Sequence, residues 1–136
     1  MTAGATAEAM AGATVAEHAQ VIDQYIAAWN ETDPATRRAL IAGTWMEDGS
    51  YLDPLMSGEG HDGIDTMIGG VQSQFPGLRF RRTSTLDAHN DRVRFSWELG
   101  PEGGPPLAGG VDFGVIVDSR LQTITGFLDF APGGKG

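Results

Sequence analysis

Three polar residues stand where the hydrophobic pattern calls for an apolar side chain or for the end of an element: Tyr25, Asp53 and Asp112. A phenol and two carboxyls are the parts of an acid–base site. A carboxylate can take a proton from carbon, and a phenol or an un-ionised carboxyl can donate a hydrogen bond to the oxygen that then turns negative. Each residue also has a structural reading. Tyr25 reads equally as a core aromatic whose hydroxyl reaches a backbone carbonyl, and Asp53 before Pro54 is a common turn opener. Asp112, between Val111 and Phe113, must face solvent, find partners or be protonated, because a buried unpaired charge is expensive.

The elements that must position these residues follow from periodicity. Val15, Ile22, Ile26 and Trp29 recur at helical spacing up to Asn30, with Tyr25 on the same face. Asp33 as N-cap and Pro34 at the first helical position open a second helix carrying Leu40, Ile41 and Trp45. Ser50 to Asp53 reads as a short strand stopped by Pro54. Ile64, Met67, Ile68, Val71 and Phe75 mark a third helix closed by Pro76-Gly77. Beyond it the period changes to two, which predicts strands over Leu78 to His89, Arg92 to Leu99, Val111 to Val117 and Leu121 to Phe130. Asn90-Asp91 and Asp118-Ser119-Arg120 are hairpin turns, and Gly100 to Gly110 is a longer Pro/Gly loop.

Helices followed by antiparallel strands predict an α+β fold, a cone-shaped roll of three helices on a curved, mostly antiparallel sheet. Such a roll leaves a cavity where helix ends and strand faces fail to close. Trp45, Met56, Phe95, Trp97, Phe113 and Phe127 are the residues expected to line it. Asp129 shares the parity of Phe127 and would follow it inward. Residues 1–14, rich in Ala, Gly and Thr, are expected to be a disordered tail, 15–131 a single domain, and 132–136 a frayed end.

Composition narrows the function. The chain has 136 residues, no Cys, and 18 Asp plus Glu against 9 Lys plus Arg, a net charge of −9. Thiolate metal sites and cysteine nucleophiles are excluded, and the acidic balance argues against a nucleic-acid partner. No apolar run is long enough to cross a bilayer and the N-terminus lacks a signal-peptide pattern, so the expectation is a cytoplasmic protein with no membrane partner. The three histidines have no ligand spacing, so no metal and no cofactor is expected. Gly58 to Gly63 satisfies G-x-G-x-x-G, but it lies outside any βαβ unit and sets Glu59 and Asp62 where a pyrophosphate would approach.

The stretches YIAAWNETDP (Tyr25 to Pro34), YLDPL (Tyr51 to Leu55), GHDGI (Gly60 to Ile64) and GVDFGVIV (Gly110 to Val117) resemble the nuclear transport factor 2-like superfamily, in particular its SnoaL-like and ketosteroid isomerase-like members. The resemblance covers about residues 15–131. It implies a homodimer formed through the convex sheet face, and a cofactor-independent enzyme acting on a small apolar carbonyl compound. In it Asp53 falls on the general base, Tyr25 on the helix tyrosine that donates to the substrate oxygen, and Asp112 on a second, protonated donor. Polyketide cyclases, dehydratases, epoxide hydrolases and non-catalytic binding or accessory domains share this fold, so the resemblance leaves them as alternatives. The epoxide-hydrolysing relatives use an Asp at the place of Asp129 together with an Arg-x-Asp step. Here Arg92 is followed by Arg94 and Arg94 by Ser96, so that unit is incomplete.

Overall fold

Asp33 turns the chain from the first helix into the second. Its carboxylate accepts hydrogen bonds from the Thr36 amide (2.9 Å) and hydroxyl (2.7 Å), and Pro34 supplies the fixed φ of a first helical residue. The computed structural model describes residues 3–132, with side chains from residue 15 onward. Its elements are α1 (Ala3–Asn30), α2 (Pro34–Thr44), β1 (Trp45–Leu52), β2 (Ser57–Glu59), α3 (Gly60–Gln74), β3 (Arg79–Arg82), β4 (Asp87–His89), β5 (Arg92–Gly100), β6 (Ala108–Val117) and β7 (Arg120–Phe130).

The three helices pack against one curved, mixed sheet of seven strands. The order is β2-β1-β7-β6-β5-β3, with β4 also on β5, and every pairing is antiparallel except β1 with β7. The core lies between the layers, where Ile22, Ile41, Ile64, Ile68, Leu121 and Ile124 are wholly buried.

Several boundaries differ from the periodic reading. Helix α1 begins at Ala3 and not at Val15, and its leading alanines are the strongest helix formers. Trp45 opens β1 instead of closing α2, so the strand is eight residues long. The run from Leu78 to His89 is two strands. Between them Ser84 Oγ accepts the Ser96 amide (2.9 Å), a side chain standing in for the ladder. Of the tail expected at 132–136, residues 133–136 lie outside the described residues.

The turns were legible. Val117 pairs with Arg120 across Asp118 (φ 51°) and Ser119 (φ 64°), the two left-handed residues of a type I′ hairpin. One extra residue, Asp129, bulges from β7 between the pairs Gly110↔Leu128 and Gly109↔Phe130. Only glycine fits opposite this bulge at Gly110, since a Cβ there would meet the Phe127 carbonyl at 1.9 Å.

Two side-chain clamps fix the end of α1. Asn30 donates to the Phe80 carbonyl (2.9 Å) and accepts the Phe80 amide (2.7 Å), which ties the helix to the edge strand β3. Gln72 of α3 donates to the Trp29 and Glu31 carbonyls (3.0 and 2.8 Å), two acceptors that the ending helix leaves without partners. Its own carbonyl accepts from Arg37 (2.8 Å), a buried guanidinium also paired with Asp65 at 2.7 Å.

Candidate active site

Helix α1 directs Tyr25 and, one turn later, Trp29 toward the concave face of the sheet. Strand β1 and its end bring Tyr51 and Asp53, two residues apart and so on one face. Trp97 comes from β5 and Asp112 from β6. All six line a single cavity of about 430 Å³, whose remaining walls include Met56, Phe75, Phe80, Leu99 and Leu128.

Asp112 is the buried acid of this cavity, 3% exposed. Tyr25 Oη donates to its Oδ2 at 2.7 Å and Trp97 Nε1 donates to its Oδ1 at 3.0 Å. Burial drives its pKa up to about 7. The hydrogen bonds from Tyr25 and Trp97 pull it back, and the nearby Asp53 charge adds to the rise. Near neutral pH the carboxyl therefore exchanges between its charged and uncharged forms.

Asp53 is held differently. Tyr51 Oη donates to its Oδ2 at 2.6 Å, while the amides of Leu55 and Met56 donate to Oδ1 at 2.8 and 2.9 Å. The Asp53 amide in turn donates to the Met56 carbonyl at 3.0 Å, closing the turn. Asp53 thus both opens the turn and lines the cavity: Oδ1 builds the turn and Oδ2 stays with Tyr51. The phenols of Tyr25 and Tyr51 are pushed well above the ordinary tyrosine pKa, mainly by burial and then by the Asp112 charge. Tyr51 also feels Asp53, whereas the Trp29 side chain acts on Tyr25 in the opposite sense.

These groups converge because Gly126 has no side chain. It pairs with Asp112 across β6 and β7, and a Cβ there would lie 3.0 Å from Asp112 Oδ1, 3.2 Å from Asp53 Cβ and 3.3 Å from Tyr51 Oη.

Of the residues expected at the site, Tyr25, Asp53, Asp112, Trp97 and Met56 line the cavity together. Trp45 and Phe95 do not. They are buried behind Tyr25, with ring centroids 6.0 and 6.1 Å from its ring, and act as its backing. Phe113 and Phe127 are corrected to the outer sheet face, 39% and 57% exposed. Neighbours on a strand face opposite ways, so an inward Asp112 forces Phe113 outward, and Phe127 lies beside the outward Val111. Asp129, on its bulge, is exposed as well.

Tyr51, Trp29 and Phe80 are wall residues that sequence reasoning did not single out. The first two were within reach, Tyr51 by its parity with Asp53 and Trp29 by its helical spacing from Tyr25. Phe80 carries no such signal, because a contact with Asn30, fifty residues away, places it. His61 sits outside the cavity with Nε2 2.9 Å from the Trp45 carbonyl. Gly58 to Gly63 forms β2 and the first turn of α3, not a βαβ crossover. Among the described residues no three His, Asp or Glu side chains gather as metal ligands, and no helix is long and apolar enough to cross a membrane.

A model of the SnoaL-like domain matches residues 22–123. The chain belongs to this family. Among solved structures, a proposed SnoaL-like isomerase from Agrobacterium tumefaciens is 42% identical, with 84% of this chain and 98% of that one covered and a TM-score of 0.79. A protein with a ketosteroid isomerase-like fold from Catenulispora acidiphila, in complex with trimethylamine, is 18% identical over 78% of this chain and 82% of its own (TM-score 0.65). A proposed polyketide cyclase from Sinorhizobium meliloti is 17% identical over 79% and 93% (TM-score 0.62). At such identities these last two speak for the fold alone. A comparison with curated proteins finds no match.

Proposed function

We propose that this SnoaL-like domain is an enzyme that removes a proton α to the carbonyl of a small, largely apolar compound and stabilises the resulting enolate with its own side chains. The observation that carries this reading is the Asp112 carboxyl, buried at the end of an apolar cavity, hydrogen-bonded to Tyr25 and facing the second acid, Asp53. Two carboxyls in one cavity with different surroundings are what opposite protonation roles require. Asp53 Oδ2 takes the proton from carbon, the C–H electron pair moves toward the carbonyl oxygen, and Tyr25 with protonated Asp112 donates to that oxygen. Protonated Asp53 then returns the proton to carbon, and Tyr51 keeps the carboxyl aimed throughout. A 42% identical relative described as a proposed isomerase supports the same reading.

The test is hydrogen–deuterium exchange at the α-carbon of cyclic ketones in heavy water, followed by NMR. Wild type should accelerate exchange for at least one member of the panel and Asp53→Asn should abolish it. Full exchange by Asp53→Asn removes the base assignment, and no exchange with any ketone favours a binding domain.

The outer face of the sheet supports a homodimer. Val111, Phe113 and Phe127 form an apolar patch across β6 and β7, joined by the exposed Leu52 of β1. Light scattering should give twice the chain mass, and Phe127→Glu should give the monomer.

A further inference from the structure

The described walls of the cavity carry carboxyls and rings but no cationic side chain. Asp53, Asp112, Tyr25 and Tyr51 are its titratable groups, and among the described residues no Arg or His side chain lines it. Six arginines are engaged in ion pairs away from it: Arg37 with Asp65, Arg38 with Asp62, Arg81 with Glu98, Arg82 with Asp23, Arg92 with Asp91 and Arg94 with Asp87. Beside the acids runs an unbroken aromatic wall. Tyr51 and Trp29 have ring centroids 5.7 Å apart, Trp29 and Phe80 4.8 Å, and Phe80 and Trp97 5.6 Å.

An anion entering this cavity would lose its water and meet carboxylates with no counter-charge. A cation would meet two acids and several aromatic rings, groups that together hold alkylammonium ions. The protonation balance agrees. Burial first, and then the Asp53 charge, push Asp112 toward its neutral form against the pull of the Tyr25 and Trp97 hydrogen bonds, and Tyr51 is pushed the same way by burial and then by both acids.

We propose that the ligand of this cavity carries a cationic nitrogen, a protonated or quaternary amine on a compact apolar body, held between the Tyr51–Trp29–Phe80–Trp97 wall and the carboxyls of Asp53 and Asp112. The inference rests on the acid–base reading for the place where substrate binds and adds the charge class of that substrate. It also answers a chemical need. An enolate forming here has neutral donors and, among the described lining residues, no cationic side chain to balance it, and a substrate ammonium supplies that charge and acidifies the neighbouring C–H. At about 430 Å³ the cavity is at the small end of ligand sites, which suits a body of one or two rings.

Calorimetry with three probes of matched shape tests this: phenyltrimethylammonium, its carbon isostere tert-butylbenzene, and the anion 2-methyl-2-phenylpropanoate. At pH 8 the ammonium should bind at least about ten-fold more tightly than the isostere, and the carboxylate should not bind measurably. The titratable groups acting on Asp112 are Tyr25 from α1 and Tyr51 and Asp53 from β1, while Trp97 of β5 and Gly126 of β7 bring no titrating side chain. The probe has no carbonyl oxygen to accept from a protonated Asp112, so its cation favours the ionised carboxyl, and ammonium affinity should rise between pH 6 and 8, with protons released on binding. Asp112→Asn should remove that slope. Should that variant not fold, the wild-type slope stands as the test, and Trp29→Leu should weaken the ammonium more than the isostere. Equal or tighter binding of the isostere, or measurable binding of the carboxylate, overturns the proposal. Ketone exchange that persists in wild type and is lost in Asp53→Asn would then leave the acid–base reading standing. Ammonium selectivity without any exchange would sustain the charge class and remove that reading.

Discussion

Asp112 and Gly126 face each other across β6 and β7, and the missing side chain of Gly126 is the space that the Asp112 carboxyl, Tyr51 hydroxyl and Asp53 methylene share. Gly126→Ala puts a methyl 3.0 Å from Asp112 Oδ1 with backbone fixed on both sides. The expected cost is about 1–3 kcal/mol in urea denaturation, with loss of probe binding in whatever protein remains folded. A variant as stable as wild type that binds normally would mean the site has slack that its distances deny.

The raised pKa of Asp112 makes stability depend on pH with a definite sign. Its folded value, about 7, lies above the ordinary aspartate value of 3.8, so the folded state holds the proton more tightly. The stabilisation is complete below about pH 4 and is lost as pH rises through 7. Relative to Asp112→Asn, which does not titrate, wild type should therefore lose on the order of 4 kcal/mol between pH 4 and pH 8. Urea titrations of both proteins across that range give the difference directly, and a flat difference would contradict the shift.

Against the rise that burial imposes, Trp97 helps Tyr25 to hold that pKa down through one hydrogen bond. Because its indole N–H holds the Asp112 value down, Trp97→Phe should raise it further while keeping most of the ring packing. Carbonyl-carbon NMR of Asp112 against pH reads the change, and a downward movement would show that the indole acts mainly by excluding water.

Tyr51 aims Asp53 from one side while the Leu55 and Met56 amides hold it from the other. Tyr51→Phe leaves the turn intact, so stability should fall by only about 1 kcal/mol. α-Proton exchange at saturating ketone should slow by about ten-fold or more, with ketone affinity little changed, because a loosened base loses orientation more than binding. An unchanged exchange rate would confine Tyr51 to packing.

Asn30 tests the scaffold. Replacing it with Ala removes both hydrogen bonds to Phe80 and should cost about 1–3 kcal/mol. The Phe80 amide should then exchange with solvent faster than its neighbours on β3, which hydrogen-exchange NMR resolves.

The residues that proved legible were those whose sequence neighbours fix their direction. Asp112 and Trp97 sit inside long strands and Asp53 just past a strand end, where alternation and a proline limit the choices, and all three line the cavity. Depth was not legible. Phe95 and Trp97 share parity and both turn inward, yet Phe95 stops beneath Tyr25 while Trp97 reaches the cavity, a difference made by the helix above and not by the strand. Nor was the start of β1, since Trp45 fits the apolar face of α2 as well as the first position of a strand. Such contacts join residues far apart in the chain, where no local period records them.

The cavity is not the same at its two ends. Leu55, Gln74 and Pro132 are its exposed lining residues, whereas the acids and phenols gather around the buried Asp112. On the proposed reading a ligand enters with its polar end leading, toward Asp112. Asp53, fixed in its turn, then meets only one face of the bound molecule. With Asp53 as the proposed base, proton removal and return on one face would make any new stereocentre a single-handed one, its configuration settled by the direction of entry before any bond is broken.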